Sequence, residues 1–246
     1  MDYHINDVKL ECVTEFNDLG INITPNLSWH EHVTTKVKRA NSLLGLIKRT
    51  VGYNAPAQSK KTLYMSLMRT TLMYGSTIWC PNRGDMKLLE GVQRRATKYI
   101  LNDYTSDYKT RLKKTELLPL NYYKEFRDMC FMYKCIHGFY KLNINDFIQF
   151  HGNTHHHQTR LGTNQFVIRS NRCKTIKGAE FFFNRSTIPW NNLTPETKTI
   201  KCKNKDIWPF KNKLLKRYHH LTETFFKSHN ICTWTSSCRC PLCRPE

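Results

Sequence analysis

The most concentrated chemistry in this sequence is a run of four thiols, Cys232-Thr-Trp-Thr-Ser-Ser-Cys238-Arg-Cys240-Pro-Leu-Cys243. Four cysteines within twelve residues, at Cys-x-Cys and Cys-x-x-Cys spacing, can wrap tetrahedrally around one zinc ion. Thiolate ligation would fold a segment too short for a core of its own. The usual zinc ribbon separates two Cys-x-x-Cys pairs by many residues, and this pattern does not. Free or oxidised thiols are therefore the competing reading, and His229 is an alternative ligand. Two histidine clusters are weaker. His155-His156-His157 cannot all face one ion and reads as a solvated loop. His30-Glu31-His32 is not His-Glu-x-x-His, because histidines two apart on a helix point to different faces.

The carboxylates exclude more than the thiols include. Two-metal polymerases and nucleases need closely placed acids to hold divalent ions. This sequence has no Asp-Asp and no Asp-x-Asp among its 19 acids. It also lacks a Gly-x-x-x-x-Gly-Lys-Ser/Thr phosphate loop and a Gly-x-Ser-x-Gly elbow. No catalytic residue is assigned, which leaves binding.

The charge says what is bound. The 246 residues carry 39 Lys+Arg against 19 Asp+Glu, a net charge of +20. Residues 1–28 are acidic, with one Lys against five acids. Residues 29–114 hold 17 Lys+Arg against five acids, a net +12. A basic surface concentrated on helices is the electrostatic footprint of a polyanion. No apolar run approaches the roughly 20 residues of a membrane helix. The first residues, Met1-Asp2-Tyr3-His4-Ile5, carry neither the basic nor the apolar region of a secretory signal. An intracellular protein of nucleus or cytoplasm is expected, with no membrane partner and its ten cysteines reduced or metal-bound.

The elements that must position these groups are mainly helical. Residues 8–23 alternate around Asn17-Asp18 and predict a strand pair. Ser28-Trp29-His30-Glu31 has capping-box spacing and opens a helix with Val33, Val37, Ala40, Leu44, Ile47 and Val51 on one face. A second helix is predicted from about Ala57 to Trp79. A third, capped by Asp85, carries Leu88, Leu89, Val92, Ala96, Tyr99 and Ile100. Shorter and longer helices follow at Ser106–Leu118 and Tyr122–His137, closed by Gly138. Short breaks between helices with one apolar stripe each predict an antiparallel bundle. The aromatics Tyr64, Tyr74, Trp79 and Tyr99 read as core. Residues 150–175 are polar, with a strand candidate at 165–168, and a last helix is predicted from Asp206 to Lys227.

Several blocks resemble one family. Asp18-Leu19-Gly20-Ile21, Leu27-Ser28-Trp29-His30-Glu31-His32, Lys38-Arg39-Ala40-Asn41 and Leu44-Gly45-Leu46-Ile47-Lys48-Arg49 look like the region after the palm in non-LTR (LINE-type, jockey-like) retrotransposon reverse transcriptases. Leu63-Tyr64-Met65-Ser66-Leu67-Met68-Arg69 and Tyr74-Gly75-Ser76-Thr77-Ile78-Trp79-Cys80-Pro81 continue the resemblance. It is strongest at Leu89-Glu90-Gly91-Val92-Gln93-Arg94-Arg95-Ala96-Thr97-Lys98, and Leu117-Leu118-Pro119-Leu120, Trp190-Asn191-Asn192-Leu193 and the cysteine-rich tail also fit.

The resemblance implies a remnant strand pair leading out of a palm over 1–28 and a thumb-like helical bundle over 29–146. A mixed or helical segment over 147–231 and a cysteine-rich zinc-binding tail over 232–246 would follow. It implies a piece of an RNA-directed DNA polymerase that grips template–primer, as RNA, DNA or RNA–DNA hybrid, and is no enzyme on its own. Magnesium would enter only through the palm, whose Tyr/Phe-x-Asp-Asp strand is absent. Phosphate contacts are expected at Lys36, Arg39, Lys48, Arg49, Arg94, Arg95 and Lys98, with Arg94 or Arg95 alternatively pairing with Glu90. Metal would sit on Cys232, Cys238, Cys240 and Cys243. A zinc-dependent nucleic-acid or protein interaction module without a polymerase role is the alternative, and the oligomeric state is left open.

Overall fold

The structure, a computed structural model, describes residues 4–9, 11–151, 166–202 and 206–228. His155, His156 and His157 and the four tail cysteines lie outside the described residues. Within these, the chain is mainly helical and opens on short antiparallel strands, as the patterning predicts.

Two hairpins come first. β1 (His4–Ile5) pairs with β2 (Val8–Lys9), and β3 (Phe16–Asp18) pairs with β4 (Ile21–Ile23). Each closes on two residues with positive φ, Asn6-Asp7 and Leu19-Gly20. Turns of that hand match the twist of the strands they join. The second turn therefore lies beyond the expected Asn17-Asp18, which are paired in β3. Asn17 Oδ1 accepts the Gly20 N–H at 3.1 Å, and Gly20 takes φ of +80° without Cβ strain.

Helix α1 (His30–Val51) buries Val33, Ala40, Leu44 and Ile47, the face its periodicity predicts. The expected capping box does not form. Trp29 stands at the N-cap without a side-chain bond, because Ser28 is drawn into a turn by Thr24 Oγ1 and Asn26 Oδ1. Helix α2 (Ala57–Leu63) runs through a π-helical turn (Tyr64–Met68) into α3 (Arg69–Leu72). That rod ends at Leu72, short of the expected Trp79. Gly75 then turns at φ +62°, and a Cβ there would lie 2.7 Å from Ile21 Cδ1. Tyr64, Met68 and Leu72 enter the core, whereas Tyr74, expected there, is half-exposed.

Helix α4 (Arg83–Leu101) is capped by Asn82, whose side chain accepts the Asp85 N–H at 2.9 Å. Asp85 was the expected cap, but its carboxylate instead takes His30 Nδ1 at 2.6 Å. Asn102, in the left-handed region at φ +50°, ends the helix. Helices α1 and α4 lie parallel. His30 meets Asp85 at one end, and the Tyr99 hydroxyl donates to Gly52 O at 2.8 Å at the other. Helix α5 (Tyr108–Thr115) is capped by Asp107, and α6 (Leu120–Ile136) closes at Gly138, φ +71°.

Beyond α6 come α7 (Ile176–Glu180), α8 (Phe182–Asn191), α9 (Pro195–Lys198) and α10 (Trp208–Ser228). The strand candidate contributes a single bridge, Phe150 to Ile168. Two apolar clusters result. The first gathers Leu44, Tyr64, Trp79, Leu89, Val92 and Tyr99 from α1 to α5, and the second gathers Met132, Tyr133, Phe183, Trp190, Phe210 and Leu214. Burying each such side chain contributes about 1.5–3 kcal/mol. Tyr122 and Tyr123 of α6 pack against both.

Candidate nucleic-acid interface

A groove of about 350 Å³ runs between α4 and the start of α5, lined by Gly91, Arg94, Arg95, Lys98, Tyr104, Ser106, Asp107, Tyr108 and Arg111. Four of these carry a positive charge and one a negative. The negative one is already engaged, since Asp107 Oδ1 accepts the Thr110 N–H at 2.8 Å and this cap holds its pKa down. Larger cavities of about 610 and 450 Å³ lie against α10. The first sets Lys113 against Glu116 and Glu223, and the second sets Lys61, Arg69 and Lys211 against Glu116 alone.

The footing of the basic groove is a buried polar network. Glu90, 1% exposed, accepts the Leu120 N–H at 2.7 Å, the Gln93 Nε2–H at 3.2 Å and the Tyr108 hydroxyl. Gln93 also donates to Leu118 O at 3.0 Å and accepts the Tyr64 hydroxyl at 2.5 Å. Burial raises the Glu90 pKa to about 7 against the opposing pull of these donors. The Arg94 guanidinium lies 4.8 Å from the Tyr108 ring centre, and that of Arg111 lies 5.9 Å from the same ring. Tyr108, anchored on Glu90, thus places two guanidinium groups. The Glu90 carboxylate accepts from Tyr108, Gln93 and Leu120, and the Arg94 charge opposes the rise of its pKa.

The seven expected phosphate contacts separate into groups. Lys36 is turned toward the hairpin, donating to Gly20 O at 3.1 Å with its ammonium 4.8 Å from the Tyr74 ring centre. Lys48 lies half-buried, 5.8 Å from the Tyr99 ring. Arg39 and Arg49 are exposed along α1. Arg95 reaches across the α1–α4 seam to Asn41 Oδ1 at 2.9 Å, while its helix also brings it to the groove with Arg94 and Lys98. Arg111, Tyr104 and Tyr108 escaped the sequence reading. Arg111 is 3% exposed and donates to Ser106 O and, at 3.4 Å, to Thr97 Oγ1.

The acids around the groove already have partners. Residues 29–114 contain Glu31, Asp85, Glu90, Asp103 and Asp107. Asp85 holds His30, Glu90 is buried, Asp107 caps α5, and Asp103 accepts the Ser106 N–H at 2.9 Å and Lys114 at 3.2 Å. The Ser106 bonds hold the Asp103 pKa well below the ordinary carboxylate range. Four of the five acids are thereby engaged by hydrogen bonds or ion pairs within the fold.

His30 and His32 diverge as their spacing predicts. His30 faces Asp85, whereas His32 is buried with its Nδ1 accepting the Asn22 N–H at 3.2 Å. Among the described residues there is no group of three or more His, Cys, Asp or Glu arranged to hold a metal, and no helix long and apolar enough to cross a membrane. No protein-family model, curated protein or solved structure matches the chain.

Proposed function

We propose that this chain is the template–primer-holding, non-catalytic part of a retrotransposon RNA-directed DNA polymerase, binding RNA, DNA or an RNA–DNA hybrid without extending it. The carrying observation is the separation of charge around α4 and α5. Arg94, Arg95, Lys98 and Arg111 line one groove while the neighbouring acids are consumed by helix caps and buried bonds. Cations gathered on a preorganised frame suit phosphates, and each contact releases condensed counterions. The stretches that carry the family resemblance supply both groove and footing. Leu89–Lys98 contributes Glu90, Gln93 and the three cations, and Leu117–Leu120 contributes the carbonyl and N–H they hold. With no Asp-Asp or Asp-x-Asp pair, the sequence offers two-metal chemistry no ligands.

Fluorescence-anisotropy titration of the full chain with a blunt RNA–DNA hybrid tests this. Log affinity should fall linearly with log salt between about 50 and 200 mM. Arg95→Ala and Lys98→Ala should each reduce the slope by about 1. Undetectable or salt-insensitive binding would overturn the proposal.

A further inference from the structure

Two tyrosines stand exposed at and beside the groove's end. Most large aromatics of this fold are consumed in its cores: Tyr64, Tyr99, Tyr133, Trp79 and Trp190 are all essentially buried. Tyr104 is 54% exposed and lines the basic groove, and Tyr53 beside it is 49% exposed. Both sit on a firm base. The Tyr53 carbonyl accepts Lys60 Nζ at 3.1 Å and Asn102 Nδ2 at 2.8 Å, and its ring meets Tyr99 edge-on at 5.5 Å. The Tyr104 backbone is fixed between the left-handed Asn102 and the turn that Asp103 makes with Ser106.

We infer that this end of the groove seats an unpaired nucleotide, with Tyr104, flanked by Tyr53, stacking its base and Lys98, Arg94 and Arg95 receiving the adjoining phosphates. The inference rests on the nucleic-acid function proposed above and names the form of strand that the groove prefers. Phosphate contacts alone need no aromatic surface, because the bases of a duplex are already stacked on one another. An exposed ring beside a basic groove meets the other case, a single strand whose bases lack neighbours. Every base has a π-face, so the seat is tolerant of sequence. A volume of about 350 Å³ lies in the range of small-ligand sites. The favoured substrate is therefore a duplex carrying a short single-stranded overhang, with RNA and DNA overhangs alike in this chemistry.

The test compares one hybrid duplex in four forms: blunt, with a five-nucleotide oligo-U overhang, with a five-nucleotide oligo-dT overhang, and with an abasic overhang of equal charge. The unaltered chain should bind the base-bearing overhangs about 5- to 100-fold more tightly than the abasic one. A preference shared by both arms places recognition in the base, and a preference for oligo-U alone assigns the seat to RNA. Tyr104→Ala should abolish the preference for base-bearing over abasic overhangs, while Tyr104→Phe should retain it. Equal binding of abasic and base-bearing overhangs would overturn the inference without needing any variant to fold. So would an equal loss on blunt and overhanging duplexes in Tyr104→Ala. Absence of salt-dependent binding to every form would instead remove the underlying function.

Discussion

Glu90 Oε2 accepts the backbone N–H of Leu120 at 2.7 Å, so a carboxylate from the middle of α4 holds the first turn of α6. The first N–H groups of a helix have no partner within it, and Pro119 at the N-cap has no side-chain oxygen to offer. Glu90 fills that gap from another helix and orients Tyr108 with its other oxygen. The same carboxylate thus supports the join between the two cores and the wall of the basic groove.

Removing it should therefore be costly. Glu90→Ala leaves the Leu120 N–H and the Tyr108 hydroxyl short of an acceptor in a dry site. A loss of about 3 kcal/mol or more is expected, read as a lower urea midpoint at unchanged slope. The pH dependence has a defined sign. Glu90's folded pKa of about 7 lies above its ordinary 4.5, so the folded state holds the proton more tightly. Its contribution is complete below pH 4.5 and declines as pH rises to 7, by on the order of 3 kcal/mol. Glu90→Gln should flatten that limb, and a profile identical to the unaltered chain would refute the assignment.

Asp128 joins the cores a second way. It pairs with Lys124 at 2.9 Å on α6 and with Arg185 Nε at 3.3 Å from α8, all three largely buried. Arg185 also donates to Thr77 O at 2.8 Å, spanning to the turn after α3. Asp128→Asn would leave two buried cations without their anion. The expected loss is about 3–5 kcal/mol, with the second core loosening before the first, measurable as early amide exchange in α8 and α10. Uniform exchange across both cores would count against it.

The helices were legible because their apolar faces repeat locally. Val33, Ala40, Leu44 and Ile47 announce α1 whatever packs on it. Glu90 and Gln93 gave no such signal. A Glu and a Gln three apart on a helix ordinarily mark its wet side. They are buried because Tyr64, Tyr108, Leu118 and Leu120 converge on them from separate segments, a long-range fact without periodicity. The groove divides the same way. Arg94, Arg95 and Lys98 could be nominated from charge density, but Arg111 and Tyr104 join them only through the turn at Asn102–Ser106. Lys36 donates instead to the Gly20 carbonyl that the hairpin brings over α1, a long-range contact that no local pattern announces.

Two histidines, two residues apart, should titrate in opposite directions. The hydrogen bond to Asp85 and its charge raise the His30 pKa above 6.5, whereas burial lowers that of His32 to about 4. His30 therefore adds stability that is present below pH 6.5 and is lost as pH rises through its folded pKa. His32 acts in reverse, subtracting stability as pH falls from 6.5 toward 4, because its neutral ring must be charged where Trp29 and Trp79 enclose it. Ring-proton NMR should show His30 titrating above 6.5 and His32 unchanged until near pH 4. Asp85→Asn should return His30 toward 6.5 and leave His32 where it is. Coincident titration of the two would refute both placements.

Gly45 and Gly91 occupy helix interiors, where glycine costs about 1 kcal/mol relative to alanine. A Cβ at Gly45 would lie 3.4 Å from Arg49 Nη1, and one at Gly91 3.7 Å from Arg95 Nη1. Both distances are ordinary contacts, so each arginine lies over a glycine one turn earlier without depending on its bareness. Gly45→Ala and Gly91→Ala should thus stabilise the fold by up to about 1 kcal/mol, a Tm rise of about 2–4 °C for a chain of this size. Gly75 is the opposite case. Its φ of +62° strains any L side chain, and the new Cβ would meet Ile21 Cδ1 at 2.7 Å. Gly75→Ala should cost about 2 kcal/mol and be partly rescued by Ile21→Val, which withdraws the clashing methyl. Equal Tm shifts for alanine at Gly75 and Gly91 would show that the hairpin does not pack on the Gly75 turn.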